Sequence, residues 1–274
     1  MTQAVHRTSP PFVFASLWRH RGLAWELIKR DVIGRYRGSA LGILWSFLNP
    51  LLMLAVYTFV FNGVFRSKWG DGNVTQTEFA LVLFAGLIVH RLFAECVNRA
   101  PNLILGNVNY VKKVVFPLEI LPWMAMGTAL FHALISVLVL LIAIAFVDFR
   151  FSWTAVLFPI LLVPLVLLTM GVSWFIASLG VFLRDVGETT GIITTIMLFL
   201  APVFFPATAL PEEYRVLLQL NPLTFMIEQA RNVLIWEKGI DWLGWSVYLA
   251  GGLLAAWLGL FWFQKTRKGF ADVL

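Results

Sequence analysis

Apolar residues in this chain come in long blocks separated by short polar stretches, covering roughly residues 40–64, 79–97, 119–147, 154–182, 189–205 and 240–263. About 20 apolar residues in a helix cross roughly 30 Å of hydrocarbon. The pattern therefore predicts an all-α polytopic membrane protein with six transmembrane helices. Strands of a membrane barrel would alternate over segments of about 10 residues, and no such alternation runs through the chain.

The polar stretches carry their own structure. From Ser16 to Arg37, Leu17, Trp18, Trp25, Ile28 and Val32 fall near one helical stripe, and Arg19, Glu26, Lys29, Arg30 and Arg37 lie largely elsewhere. That pattern suits an amphipathic helix in the headgroup plane, or a helix packed on other protein; the two are compatible. Gly34, Gly38 and Gly42 follow at intervals of four. With Arg35 and Arg37 between them they read as a bend from membrane surface into the first span, since glycine accepts the backbone geometry of such a turn. Asn49-Pro50 inside that span predicts a kink, because proline removes a helix hydrogen bond.

The second span has an unusual later part, with His90, Arg91, Glu95, Asn98 and Arg99. Ionisable groups within a span are costly and face a cavity or a partner. Arg91 and Glu95, four apart, are spaced to pair on one face. Alternatively the span ends early and these residues sit among headgroups. Residues 100–117 form a polar segment with Lys112-Lys113, and a short helix outside the membrane is expected over Asn102–Val115. Between 206 and 238, Pro211-Glu212-Glu213 and Asn221-Pro222 each read as a helix start. The two resulting helices are too short to cross. They form either a re-entrant hairpin or a pair lying flat at the interface, and irregular backbone at membrane depth needs protein or a water-filled cavity to cover it.

Composition supports the membrane reading. Of 274 residues 59% are apolar and 13% charged, against about 25% charged in soluble domains. The net charge of +6 raises the question of nucleic acid, but Lys and Arg collect on the cytoplasmic side of membrane proteins. Residues 1–39, 98–117 and 183–188 and the tail after 263 together hold 14 Lys and Arg; the intervening loops hold 6. The larger set is assigned to the cytoplasm, with both termini. Trp69, Trp153, Trp236, Trp242 and Trp262 at span ends fit interfacial belts. Residues 1–39 have no early apolar core, so a signal peptide is not expected there. The single cysteine, Cys96, permits no intrachain disulfide.

The chemistry is sparse. There is no G-x-x-x-x-G-K-[ST] phosphate loop, no H-E-x-x-H and no G-x-S-x-G. The four histidines have no metal-ligand spacing. No series of carboxylates runs through the spans and no internal repeat suggests an ion-coupled carrier. No catalytic residue, metal site or cofactor is expected in this chain, and energy for transport would come from another subunit.

Three stretches carry a resemblance. They are Arg30–Lys68, the run Asn109-Tyr110-Val111-Lys112-Lys113-Val114-Val115-Phe116-Pro117-Leu118-Glu119-Ile120-Leu121-Pro122, and Asn221-Pro222-Leu223 with Arg231 and Asn232 beyond it. In this order they resemble the permease subunits of ABC-2 type polysaccharide exporters, which serve O-antigen, capsule and teichoic acid. His90-Arg91 departs from that pattern, where a less charged pair is expected.

The resemblance implies a homodimer in the bacterial inner membrane, bound to two copies of a cytoplasmic ATPase that carries the ATP and Mg. It implies export of a glycan, often lipid-linked, through a channel between the permeases. It makes 1–39 a cytoplasmic tail and interface helix, 100–117 a coupling segment and 207–236 an external gate. Aromatic faces suit sugar rings, which makes Trp45, Tyr57, Phe61, Phe199 and Phe204, with Arg91, candidate channel liners. Lipid contact or core packing is the ordinary role for any one of these aromatics. Arg30, Arg35 and Arg37 are candidates for a lipid-linked phosphate, with anionic membrane lipid as the alternative. Lys112 and Lys113 are candidates for the ATPase contact, and Asn221, Pro222 and Arg231 for the gate. A permease for a drug or simple lipid uses the same architecture. A self-contained carrier and a membrane scaffold are the more distant readings.

Overall fold

The computed structural model describes residues 12–60, 76–111, 116–148, 152–209 and 211–274, with backbone alone at 12–14, 76, 77, 148 and 214. Phe61, Lys112 and Lys113 lie outside the described residues. The described chain is all α. Four helices are long and apolar enough to cross a membrane: α4 (Gln76–Leu105), α6 (Ile120–Asp148), α7 (Phe158–Phe182, preceded by a 3-10 turn from Trp153) and α11 (Trp242–Thr266). Two further apolar helices are shorter, α3 (Trp45–Thr58) and α8 (Val186–Phe199). The rest are α1 (Phe12–Arg19), α2 (Arg21–Tyr36), α5 (Val108–Val111), α9 (Glu212–Leu220), α10 (Thr224–Leu234) and α12 (Phe270–Val273).

α4 is the hub. It packs against α3, α6, α7, α8 and α10, and its most apolar stretch is 83% buried, against 28% for that of α6 or α11. It does not end near 97. It runs through Pro101 to Leu105, and Glu95 and Arg99 find partners on neighbouring helices. The expected Asn102–Val115 helix is thereby replaced in its first part by the end of α4, with only the single turn of α5 following among the described residues.

The N-terminal segment is two helices rather than one, broken at His20, whose backbone leaves the helical region (φ −110, ψ 22) and whose ring lies 3.0 Å from the Ser16 carbonyl. Ala24, Leu27 and Val32 are buried, and Trp18 and Trp25 face outward. Of the three glycines expected at the bend, Gly34 stays inside α2, and the turn into α3 falls at Gly38 and Gly42, whose φ values of +87° and +52° lie in a region that costs a side chain strain. α9 begins directly after Pro211, with Glu212 and Glu213 in its first turn. α10 starts at Thr224, not at Pro222, because Asn221 Oδ1 accepts from Leu223 N at 3.0 Å and holds the intervening residues in a turn.

Glu119 ties the ends of the chain together. Its carboxylate accepts from Arg267 at 2.7 Å and from Ser16 at 3.1 Å, and its carbonyl accepts from the Trp174 indole at 3.0 Å. Arg267 also donates to the Phe116 carbonyl at 2.6 Å. Phe116 stacks on Tyr110, with ring centres 4.2 Å apart, and the Tyr110 hydroxyl accepts from Arg30 at 2.8 Å. Tyr110, Phe116 and Glu119 are thus joined to α1, α2, α7 and the C-terminal segment by polar contacts.

Candidate functional site

Three helices meet in a polar cluster. α2 brings Asp31, Arg35 and Tyr36, α4 brings Glu95 and Arg99, and α6 brings Thr128 and His132. One Arg99 amino group lies 2.7 and 2.8 Å from the two oxygens of Asp31, and the Thr128 hydroxyl donates to Asp31 at 2.7 Å. Arg35 pairs with Glu95 at 2.8 Å, and His132 Nδ1 lies 3.0 Å from the second Glu95 oxygen. The Tyr36 hydroxyl lies 3.0 Å from His132 Nε2. The Arg91–Glu95 pair that the spacing permits does not form: among the described residues the partners of Glu95 are Arg35, Arg99 at 3.9 Å and the His132 ring. Residues from three elements satisfy this carboxylate, and the i,i+4 partner is not needed.

Burial raises the pKa of Asp31, but the hydrogen bonds from Arg99 and Thr128 and the charges of Arg99 and Arg35 outweigh it. The carboxyl is held below the usual carboxylate range. A group depressed in the folded state contributes stability fully above its unfolded value of about 3.9 and loses it as pH falls through the folded value. The docking of α2 on α4 and α6 is therefore expected to loosen on the acid side of about pH 4. Hydrogen exchange across residues 21–36 should show this, and Asp31→Asn should raise exchange there at pH 7 and flatten its acid dependence.

A cavity of about 420 Å³ opens beside the cluster. Its wall includes Trp45, Ser46 and Asn49 from α3, Arg91 and Glu95 from α4, and His132 from α6. Arg91 and the Asn49 carboxamide have neither an ion pair nor a hydrogen bond among the described residues. Pro50 has no N–H to offer the Ser46 carbonyl one turn back, so this wall carries both donors and acceptors. A larger cavity of about 1030 Å³ between α4, α7, α8, α9 and α11 is apolar, with Thr189, Thr190 and Asn221 among its few polar lining residues. The smaller one holds the chemistry.

Of the sequence-predicted residues, Trp45 and Arg91 share that cavity, and Arg35 borders it. Tyr57 is half-buried against the core. Phe199 is exposed and stacks on Phe204 at 5.6 Å, and neither lines the cavity. Arg30 is held by Tyr110, and Arg37 is exposed. Asn221 donates to the Met197 carbonyl at 2.8 Å. Pro222 is exposed. Arg231, only 3% exposed, donates to the carbonyls of Val82 and Val203, both at 3.0 Å, pinning α10 to the start of α4 and to the loop after α8.

Sequence reasoning missed Asp31, Tyr36, Thr128 and His132. The available signal was a histidine and a threonine one turn apart within an otherwise apolar block.

Residues 23–235 match the family described as ABC-2 type transporter. The chain belongs to that family. It is also 28% identical to the O-antigen export system permease protein RfbA of Myxococcus xanthus, over 93% of this chain and 96% of that one. The O-antigen export system permease protein RfbA of Klebsiella pneumoniae is 27% identical over 90% and 93%. The capsule polysaccharide export inner-membrane protein CtrC of Neisseria meningitidis is 25% identical over 97% and 98%. The chain is thus an ABC-2 type permease related to polysaccharide exporters, a membrane subunit whose sequence lacks the phosphate loop of the ATPase.

Proposed function

We propose that this protein is the permease of an ATP-driven exporter that moves a lipid-linked cell-surface polysaccharide out of the cytoplasm. It acts as a homodimer with two copies of a separate ATPase, and the channel lies between the two permeases. The observation that carries this reading is the near full-length similarity to two permease proteins named for O-antigen export and an inner-membrane protein named for capsule polysaccharide export. The polar cavity supports it: a span wall with an unpaired guanidinium and a carboxamide belongs beside water or polar cargo, not lipid.

In this reading α3 and α8 complete six spans. α1 and α2 lie at the cytoplasmic interface with both termini inside, and the 14-to-6 distribution of Lys and Arg supports that orientation. α9 and α10 form an external re-entrant hairpin, with Asn221, Pro222 and Arg231 at the gate. Lys112 and Lys113 face the ATPase. Trp45, Tyr57, Phe61, Phe199 and Phe204 offer ring faces to sliding sugar. Cells lacking the chain should lose surface glycan and retain it inside. A surface unchanged in glycan, with a drug or simple lipid accumulating instead, would favour the smaller-cargo permease.

A further inference from the structure

α8 is tied to α4 by polar contacts: the Thr194 carbonyl lies 2.9 Å from His90 Nε2, and the Thr194 hydroxyl donates to Asn98 at 3.1 Å. Between α8, α7 and α11 lies the apolar cavity of about 1030 Å³, with Phe93 and Val97 of α4 in its lining. Gly171 and Ala255 also line it, each the 14th of 25 residues in α7 and α11. Those two helices are long and apolar enough to cross a membrane, so the cavity lies at mid-span of both. Ile193, Leu258 and Trp262 in its lining are 48%, 50% and 40% exposed. The cavity is thus a groove open to the outside of the helix bundle. Its α8 lining runs from Val186 to Leu200, roughly 21 Å at 1.5 Å per residue. One leaflet of a bilayer core is about 15 Å deep, so an acyl chain fits lengthwise.

The hydroxyl and amide side chains that line the groove are spent. Thr189 and Thr190 donate to the Asp185 and Gly187 carbonyls at 3.0 and 2.9 Å, and Asn221 serves Met197 and Leu223. Water needs about 2–4 polar partners, whereas a hydrocarbon chain needs none. One end of the groove differs. There the Ser178 and Thr266 hydroxyls, 2.6 Å apart, bring the ends of α7 and α11 together. Lys265 holds its ammonium 5.8 Å from the ring centre of Phe261, a lining residue. Lys265 has no ion pair among the described residues, while Arg267 is matched by Glu119 at 2.7 Å. Arg184, Asp185 and Glu188, on the adjoining turn, are exposed and outside the lining. We propose that the groove is a binding site for a membrane phospholipid: one acyl chain lies between α8 and the α7–α11 pair, and Lys265 holds the phosphate. Apolar walls with a cation at one end match a tail with an anionic head. The chain fills the space beside α8 and sets its distance from α11. The site goes beyond the permease reading and does not depend on the cargo.

The test is native mass spectrometry of the full-length chain, delipidated in detergent and titrated with dioleoylphosphatidylglycerol or with dioleoylglycerol, which has the same tails and no phosphate. The expected result is saturable retention of one phosphatidylglycerol per chain. Ile193→Trp, which fills the groove from its exposed side, should weaken that binding roughly tenfold or more. Ile192→Trp, exposed on α8 but outside the lining, should leave it unchanged. Lys265→Gln should weaken phosphatidylglycerol roughly threefold, the scale of an exposed ion pair, and leave dioleoylglycerol unchanged. All three residues are exposed, so gel filtration should show the variants folded like wild type. Equal phosphatidylglycerol binding by wild type and Ile193→Trp, no saturable binding by wild type, or equal loss in Ile192→Trp would overturn the site. So would a Lys265→Gln variant that binds phosphatidylglycerol like wild type. A wild-type dimer that retains no lipid and that Ile193→Trp splits into monomers would put a second copy in the groove, and the phospholipid would be excluded. The two proposals fail separately. Normal surface glycan in a deletion strain sinks the permease reading and leaves the lipid result standing. Lipid binding that ignores Ile193 and Lys265 sinks this site and leaves export untouched.

Discussion

Replacing Glu95 by alanine is expected to cost about 3–5 kcal/mol, the range for removing one partner of a buried ion pair, and to abolish export. Glu95 is the one carboxylate on α4 that faces both α2 and α6. Its side chain is 19% exposed, and it takes Arg35 at 2.8 Å, His132 at 3.0 Å and Arg99 at 3.9 Å. Without it three groups that are or can become cationic face one another with the Asp31 carboxylate alone to offset them. Arg99 has one buried amino nitrogen with no hydrogen bond even in the intact cluster. The damage should spread to α2, because Arg35 and Tyr36 reach α4 and α6 through Glu95 and His132. Glu95→Gln keeps the shape and a hydrogen-bond acceptor, so it should cost less. Thermal unfolding of the detergent-purified protein measures the ranking, with wild type above Glu95→Gln and Glu95→Gln above Glu95→Ala. An alanine variant as stable as wild type would mean that the cluster does not hold the helices together.

The second large effect belongs to the contact between α7 and α11. Lipid offers no hydrophobic drive for helix association, so close backbone approach and packing supply it. Gly259 meets the backbone of Gly171 directly, and a Cβ there would run into the Gly171 carbonyl. Gly171 in turn faces the backbone of Ala255 and Ala256. Any side chain at 259 must push two backbones apart, because no flexible side chain stands in the way to yield. Overpacking a core typically costs about 1–3 kcal/mol, and obstruction by backbone puts Gly259→Leu at the upper end or beyond. Gly251, on the same helix, has nothing within 4 Å of a built Cβ, so Gly251→Ala should leave yield and stability unchanged. Fluorescence-detected gel filtration of the two variants checks the contrast. Equal yields would show that the α7–α11 crossing tolerates separation.

How much was legible follows from which physical signal each feature leaves. The four long helices were visible because hydrocarbon imposes a length and an apolar content on every crossing. The bend at Gly38 and Gly42 was visible because positive φ selects glycine. The start of α9 at Pro211 was visible from local helix-end chemistry. The partner of Glu95 was not. Local spacing offered Arg91, whereas Arg35 and His132 come from helices far away in sequence, and nothing in a one-dimensional pattern ranks them. The length of α4 was not legible for the same reason, since the polar residues at 95–99 find their partners on distant helices. Arg231 was picked out by its motif, but its work on the carbonyls of Val82 and Val203 depends on tertiary approach. The Gly171–Gly259 contact left no signal beyond two small residues in apolar blocks.

Polysaccharide export by this chain is proposed to draw its energy from a separate ATPase. Its most direct test is surface and intracellular glycan, measured side by side in cells lacking the chain, in cells complemented with it, and in cells whose partner ATPase carries an inactivated phosphate loop. Glycan should be retained inside in the first and third strains and displayed on the surface in the second. Normal display in the deletion strain, or in the strain with the inactive ATPase, would contradict it.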